Sequence, residues 1–276
     1  MDFRKRLFLA SGMICICIVS LLFALSNPEN ISDPNFVPGK EVRVDVDNEY
    51  IGGRHFLVYV PTDYTDDRDW PVIFYYHGMN CETKTWPFRQ ITNGKGFIIV
   101  GMEYIQRGKA KRTKRQYIEY LKRERRSVLE VRKYLCEHLI VDEKRFFVTG
   151  SSKGGWHTSS MLEVSARAWA GAVILAAGRH RFVNVLTNKD DKKALHGKPI
   201  YIGAGEKDVN RPSAKKAASY YRRLGADVTF EVYKGAGHAF EPARAKKLYD
   251  WLIANSTPIR IESGRTDEDK SSANPK

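Results

Sequence analysis

Cysteine is scarce in this chain. There are four in 276 residues, and Cys15 and Cys17 fall inside one apolar N-terminal run. The remaining pair, Cys81 and Cys136, cannot make a disulfide framework. Cys136 is expected on the buried face of a helix, which argues against their pairing. Acidic residues are also in short supply, 32 against 46 basic ones, for a formal net charge of +14. No internal repeat is visible. The histidines, His157 included, lack companions at metal-ligand spacing, so they read as structural or exposed and no metal is expected. "GAGEKD" lacks the third glycine of a dinucleotide fingerprint and comes late in the chain, so no cofactor is expected either. In "SSK" the lysine directly follows the serine, unlike the Ser-x-x-Lys of penicillin-binding enzymes. The basic excess would suit nucleic acid, but no recognition fold is visible and none is expected as a partner.

Long apolar runs are absent with one exception. Leu7 to Leu25 carries no charge and follows Arg4, Lys5 and Arg6. It is long for a signal-peptide core and just long enough to span a membrane. Ala24 and Ser26 stand at a cleavage spacing, so a cleaved signal and an uncleaved anchor both stay open. Neither Cys15 nor Cys17 has a lipoprotein box before it, since both follow isoleucine. Either way the bulk of the chain is expected to be exported, as a secreted, periplasmic or membrane-anchored protein. Residues 1–26 are set aside on that account, 27–40 as a linker and 257–276 as a polar, disordered tail. One domain is expected over 41–256.

What that domain does have is alternation. "EVRVDV" and "RHFLVYVP" read as paired strands with alternating faces. "PVIFYYHG", "GFIIVGMEY", "RFFVTG", "WAGAVILAAG", "PIYIGAG" and "VTFEVYKG" are short apolar runs suited to strands buried on both faces. Amphipathic stretches separate most of them, notably "RSVLEVRKYLCEHL" and "AKKAASYYRRLG", the latter stopped by Gly225. This order predicts a mostly parallel, eight-stranded sheet wrapped by helices, of class α/β. In such sheets chemistry gathers in the loops at the carboxyl ends of the strands.

Four strand ends carry reactive residues. "VTGSSKGGWH" turns a strand into a helix through Gly-x-Ser-x-Gly, the pattern of a nucleophile elbow. Its outer glycines, Gly150 and Gly154, fix the register on Ser152 and demote Ser151. After "PVIFYY" comes His77-Gly78-Met79, after "PIYIGAG" comes Glu206-Lys207-Asp208, and after "VTFEVYKGAG" comes His238. Ser, Asp and His in that order resemble the α/β-hydrolase superfamily, specifically secreted esterases of the polyhydroxybutyrate-depolymerase and feruloyl-esterase kind. The resemblance covers roughly Val42 to Leu252 and is most specific at "DEKRFFVTGSSKGG", "GEKD" and "YKGAGHAF". It implies an α/β-hydrolase fold and an exported serine hydrolase that cleaves carboxylic esters without metal or cofactor.

The roles follow from what acyl transfer needs. Ser152 is the expected nucleophile, His238 the base that takes its proton, and Asp208 the carboxylate on the far imidazole nitrogen. Glu206 is the local rival of Asp208, and the resemblance favours Asp208. The oxyanion donors are expected to be the backbone N–H groups of Lys153 and Met79, with His77 stiffening the loop and Gly78 supporting it. Lys153 and Met79 are departures from the resembled pattern. Neither removes a required atom, and both bear on substrate choice. A serine peptidase of the same fold and a non-catalytic binder of anionic glycans are the alternatives.

One feature remains outside that scheme. Arg107 to Arg126 holds ten Lys or Arg against Glu119 and Glu124, and is expected to precede the helix that feeds the elbow strand. It is read either as a solvated helix face or as a surface for an anionic polysaccharide or membrane. The substrate expected is a small-molecule or glycan ester.

Overall fold

The computed structural model describes residues 35–46, 54–105, 113–180, 189–238 and 241–257. The apolar segment at 7–25, the tail from 258 and positions 107–112 of the basic run lie outside the described residues. Among those described, no helix is long and apolar enough to cross a membrane.

Eight strands make one sheet: β1 (Glu41–Val46), β2 (Arg54–Tyr59), β3 (Trp70–Tyr76), β4 (Ile98–Met102), β5 (Val141–Ser151), β6 (Gly171–Leu175), β7 (Pro199–Gly205) and β8 (Asp227–Tyr233). Their order is β1-β2-β4-β3-β5-β6-β7-β8. Only the β1–β2 and β2–β4 pairs are antiparallel; the other five are parallel. Among the described residues six α-helices accompany it: α1 (Trp86–Ile91), α2 (Lys114–His138), α3 (Lys153–Val164), α4 (Lys189–Lys193), α5 (Arg211–Arg223) and α6 (Lys246–Ser256).

The sheet is covered on both faces because its central strands are apolar on both. In β3, Val72, Phe74 and Tyr76 point into the larger core with Tyr120, Leu121 and Val128 of α2, Leu162 of α3 and Tyr221 of α5. Ile73 and Tyr75 point the other way, toward Phe88 of α1 and Leu248 and Trp251 of α6. This is the two-residue period of a strand sandwiched between helical layers. Helix α3 lies at the centre of the larger layer and is buried almost all round.

Three expectations are corrected. "VTFEVY" is the edge strand β8 and most of its residues are only partly buried on either face; with a neighbouring strand on one side only, it lacks the cover of the central strands. The basic run does not precede the helix that feeds β5: from Lys114 onward it is the first half of that helix, α2. Thr113 starts it with a capping box, its hydroxyl accepting from Gln116 N while the Gln116 side chain accepts from Thr113 N. Cys136 is exposed rather than buried, and both it and Cys81 are free thiols. One residue turns a helix by about 100°, which separates Cys136 from its buried neighbour Leu135.

Truncating the layer over the sheet tests this packing. Leu162 is fully buried, so Leu162→Ala is expected to cost about 2–5 kcal/mol of unfolding free energy in urea. Val209 is 84% exposed, and Val209→Ala is expected to stay within about 0.5 kcal/mol of the parent.

Candidate active site

The elbow is built from close backbone approaches. β5 ends at Ser151 and α3 begins at Lys153, which leaves Ser152 alone in the turn with φ 54° and ψ −118°. A non-glycine residue at positive φ is strained by about 1–3 kcal/mol and persists only where its surroundings hold it. The glycines are those surroundings. A Cβ on Gly154 would lie 1.9 Å from the Tyr76 carbonyl oxygen, and one on Gly150 would lie 2.5 Å from the Gly154 carbonyl. Gly155, which the motif register does not single out, is just as confined, with the Leu175 carbonyl oxygen 2.7 Å from its Cβ position. The Ser152 N–H donates to Leu175 O at 2.9 Å, fixing the turn to β6.

The two serines part company here. Ser151 still pairs with Leu175 in the sheet, and its Oγ is 3.0 Å from the Tyr75 hydroxyl. Burial pushes that phenol up to about 12, so it stays protonated. Ser152 Oγ lies 2.8 Å from His238 Nε2 instead. His238 Nδ1 lies 2.9 Å from Asp208 Oδ1. The Asp208 side chain has no exposed surface, whereas His238 is nearly half exposed. The structure thus brings together Ser152, His238 and Asp208, three residues from three different strand ends.

The acid and histidine loops are laced to each other. Glu206 N donates to Tyr233 O and Lys207 N to Ala236 O. Glu206 Oε2 accepts from Gly235 N at 2.8 Å. Glu206 is therefore a brace between the loops, while Asp208 faces the imidazole. Gly205 permits the approach, since its Cβ would fall 2.0 Å from the Gly237 carbonyl oxygen. Asn210 adds a second brace that sequence reading missed. Its N–H donates to Asp208 Oδ1, and its amide donates to Ala176 O at the end of β6.

On the other side of Ser152 sits the His77-Gly78-Met79 loop. The Gly78 Cβ position is 3.8 Å from the Ser152 Cβ. His77 is buried, and its Nδ1 lies 2.7 Å from Gly78 O. Met79 is half exposed, and the next residue, Asn80, takes φ 60°. Lys153 opens α3, and the first N–H groups of a helix have no intrahelical acceptor. Tyr104, at the end of β4, links both sides. Its hydroxyl donates to His77 O at 2.5 Å, and the Lys153 ammonium sits 4.2 Å from its ring centroid. Burial raises the Tyr104 phenol well above its ordinary value, which keeps it a donor. Nothing in the local sequence marks Tyr104, because its partners are distant along the chain.

The remaining singled-out groups lie elsewhere. His157 is buried under the site among Tyr76, Tyr104 and Tyr120, with Glu124 Oε2 at 3.8 Å. Among the described residues no group of His, Cys, Asp and Glu could hold a metal ion.

Residues 75–257 match the dienelactone hydrolase family. No curated protein sequence matches the chain. Among solved structures, a ferulic acid esterase aligns with a TM-score of 0.58 at 17% identity, over 79% of this chain and 97% of that one. The fluorophosphonate-binding serine hydrolase F of Staphylococcus aureus gives 0.57 at 15%, over 80% and 100%. An S-formylglutathione hydrolase from Agrobacterium tumefaciens gives 0.57 at 15%, over 83% and 100%. At these identities the likeness is one of fold.

The elbow's steric argument can be tested apart from any activity. Gly154→Ala is expected to lower the unfolding free energy by about 1–3 kcal/mol or more, because backbone rather than a flexible side chain must move. Gly78→Ala would meet only ordinary contacts at 3.8 Å, so its melting curve is expected to overlay the parent's. Equal melting curves for the two variants would contradict the account of the elbow.

Proposed function

The chain belongs to the dienelactone hydrolase family and has the α/β-hydrolase fold, and from that premise we propose that it is a serine hydrolase cleaving carboxylic esters through an acyl-enzyme on Ser152. The observation that carries this reading is the unbroken pair of hydrogen bonds from Ser152 Oγ through His238 to Asp208. A serine hydroxyl is a poor nucleophile until a base takes its proton. His238 Nε2 accepts that proton as Oγ attacks the ester carbonyl. Asp208 accepts the Nδ1–H bond, holds the imidazole in the tautomer that leaves Nε2 basic, and stabilises the imidazolium.

The carbonyl oxygen of the tetrahedral intermediate is received by the N–H groups of Lys153 and Met79, each worth about 3 kcal/mol. The helix dipole of α3 favours negative charge at that spot. His238 then gives its proton to the departing alcohol, leaving the acyl group on Ser152. A water molecule, deprotonated by His238, attacks the acyl carbonyl and releases the acid. No residue outside this set has to transfer a proton.

The basic run and the N-terminal segment set where this chemistry happens. In α2 the cations Lys114, Arg115, Lys122, Arg123, Arg125 and Arg126 are exposed, while Glu124 is turned fully inward and accepts from Ile105 N. One of the run's two acids is thereby taken off the outer face. In this reading the face draws the enzyme to an anionic polysaccharide or membrane surface, and the apolar segment at 7–25 directs export.

Ser152→Ala is expected to lower turnover of p-nitrophenyl acetate at least about 10⁴-fold, whereas Ser151→Ala keeps most of it. A fluorophosphonate probe should label the peptide through Ser152; an adduct on Ser151 would refute the assignment. Asp208→Asn is expected to cost about 10⁴-fold in kcat and Glu206→Gln little; the reverse ranking would make Glu206 the acid.

For the charged face, replacing Lys114, Arg115, Arg123 and Arg125 with glutamine is expected to weaken co-sedimentation with anionic vesicles or polysaccharide. Most of the loss should appear at low salt, since the field is screened within about 8 Å at about 0.15 M. Equal binding of parent and variant at every salt concentration would reduce the run to a solvated face.

A further inference from the structure

Beside the elbow, a cavity of about 660 Å³ opens between α3 and α5. Its lining includes Trp156, Arg179, Lys215, Lys216, Tyr220 and Arg223, and among the described residues no lining side chain is acidic. It adjoins the site already described through the backbone. Trp156 N donates to Ser152 O, one helical turn from the nucleophile. The α5 wall begins three residues after Asp208, and the Gly178 Cβ position touches Ser213 at 2.8 Å.

Two features mark the cavity as more than a basic surface. Arg179 is held rigidly: it forms a two-pronged ion pair with the fully buried Glu163, at 2.6 and 2.7 Å, and its guanidinium lies 3.7 Å over the Tyr220 ring. Tyr221 also donates to Glu163, at 2.9 Å. The α5 charges, by contrast, meet no acid on their own helix, although Arg222 donates to Val228 O at 3.0 Å. The helix has no acidic residue at all, and Lys215, Lys216 and Arg223 have no acidic partner among the described residues. Arg211 and Lys215 stand as like charges four apart near the helix N-terminus, where cations oppose the dipole, whereas Arg223 lies in the last turn, where the dipole favours it. The cations toward the start of α5 thus break a local rule without structural return, and such charges belong where a ligand supplies the compensation.

We infer that this cavity is a seat for an acidic sugar unit, the sugar ring against Trp156 and Tyr220 and its carboxylate between Lys216 and Arg223. An acidic sugar offers both chemistries the lining offers, a flat face for the aromatic rings and an anion for the cations. For catalysis the inference rests on Ser152 being the nucleophile, and it then makes the substrate an ester on an acidic glycan. The binding itself needs no chemistry.

The test uses Ser152→Ala full-length protein, titrated calorimetrically with trigalacturonate, with maltotriose as the neutral trisaccharide and with inorganic phosphate. Trigalacturonate is expected to bind and maltotriose to bind at least tenfold more weakly. Lys216→Gln with Arg223→Gln is expected to weaken the acidic ligand at least tenfold. Tyr220→Leu, which keeps every charge, should weaken it severalfold. Lys133→Gln with Lys144→Gln, a charge-matched pair on other exposed surface, should leave its affinity alone. The inference is overturned if trigalacturonate does not bind, if maltotriose binds as well, or if the Lys216/Arg223 variant binds like the parent. It also fails if phosphate matches trigalacturonate and Tyr220→Leu has no effect, since the cavity would then be a plain anion site. Failure here leaves fluorophosphonate labelling of Ser152 untouched, and failure of that labelling leaves these titrations standing.

Discussion

The backbone of α3 can begin where it does only because Gly154 lets it press against the carbonyl of Tyr76. That contact, with those of Gly150 and Gly155, brings the first helical turn down onto the carboxyl ends of β3, β5 and β6. Everything at the site is placed relative to it. Ser152 takes the strained φ that lifts its Oγ out of the sheet, and Ser151, one residue earlier, stays in the ladder against Tyr75. The strain of about 1–3 kcal/mol is offset by the burial of α3, which is packed on nearly every side in the larger core. A helix held that firmly cannot relax to relieve one residue.

The same rigidity extends outward through polar contacts that reach across the sheet. The acid and histidine loops are joined by Glu206, Lys207 and Gly235, which fixes Asp208 against His238. On the opposite flank, Tyr104 joins the His77 loop to the start of α3 through its hydroxyl and its ring face. Two departures from the resembled pattern take a clear form in this setting. Lys153 directs its ammonium over the Tyr104 ring, and Met79 presents its side chain half to solvent beside the nucleophile.

Charge is sorted by depth. The buried acids Glu124 and Glu163 lie in the larger layer and accept from Ile105 N and from Arg179 and Tyr221 respectively. Burial holds the Glu163 carboxyl above its ordinary range, partly countered by Arg179. Exposed cations line the outer faces of α2 and α5.

Much of this was legible in the residues themselves. Strand runs, the parallel order, the elbow register on Ser152 and the stop of α5 at Gly225 all follow from local rules: apolar period, turn stereochemistry, and glycine where φ is positive. Such rules act between neighbours in sequence, so one chain suffices to apply them. Two local signals were present and passed over, the Thr113-x-x-Gln116 cap that starts α2 within the basic run and the polar Thr229 and Glu231 that interrupt the apolar run of β8. The facing of Asp208 toward His238 with Glu206 as a brace, the inward turn of Glu124, the outward turn of Cys136, and the joining of Tyr104 to His77 and Lys153 were decided by tertiary structure alone. Each depends on which side chain another strand or helix brings within about 3 to 4 Å, and hydrogen bonds and packing at that range have no fixed spacing along the chain.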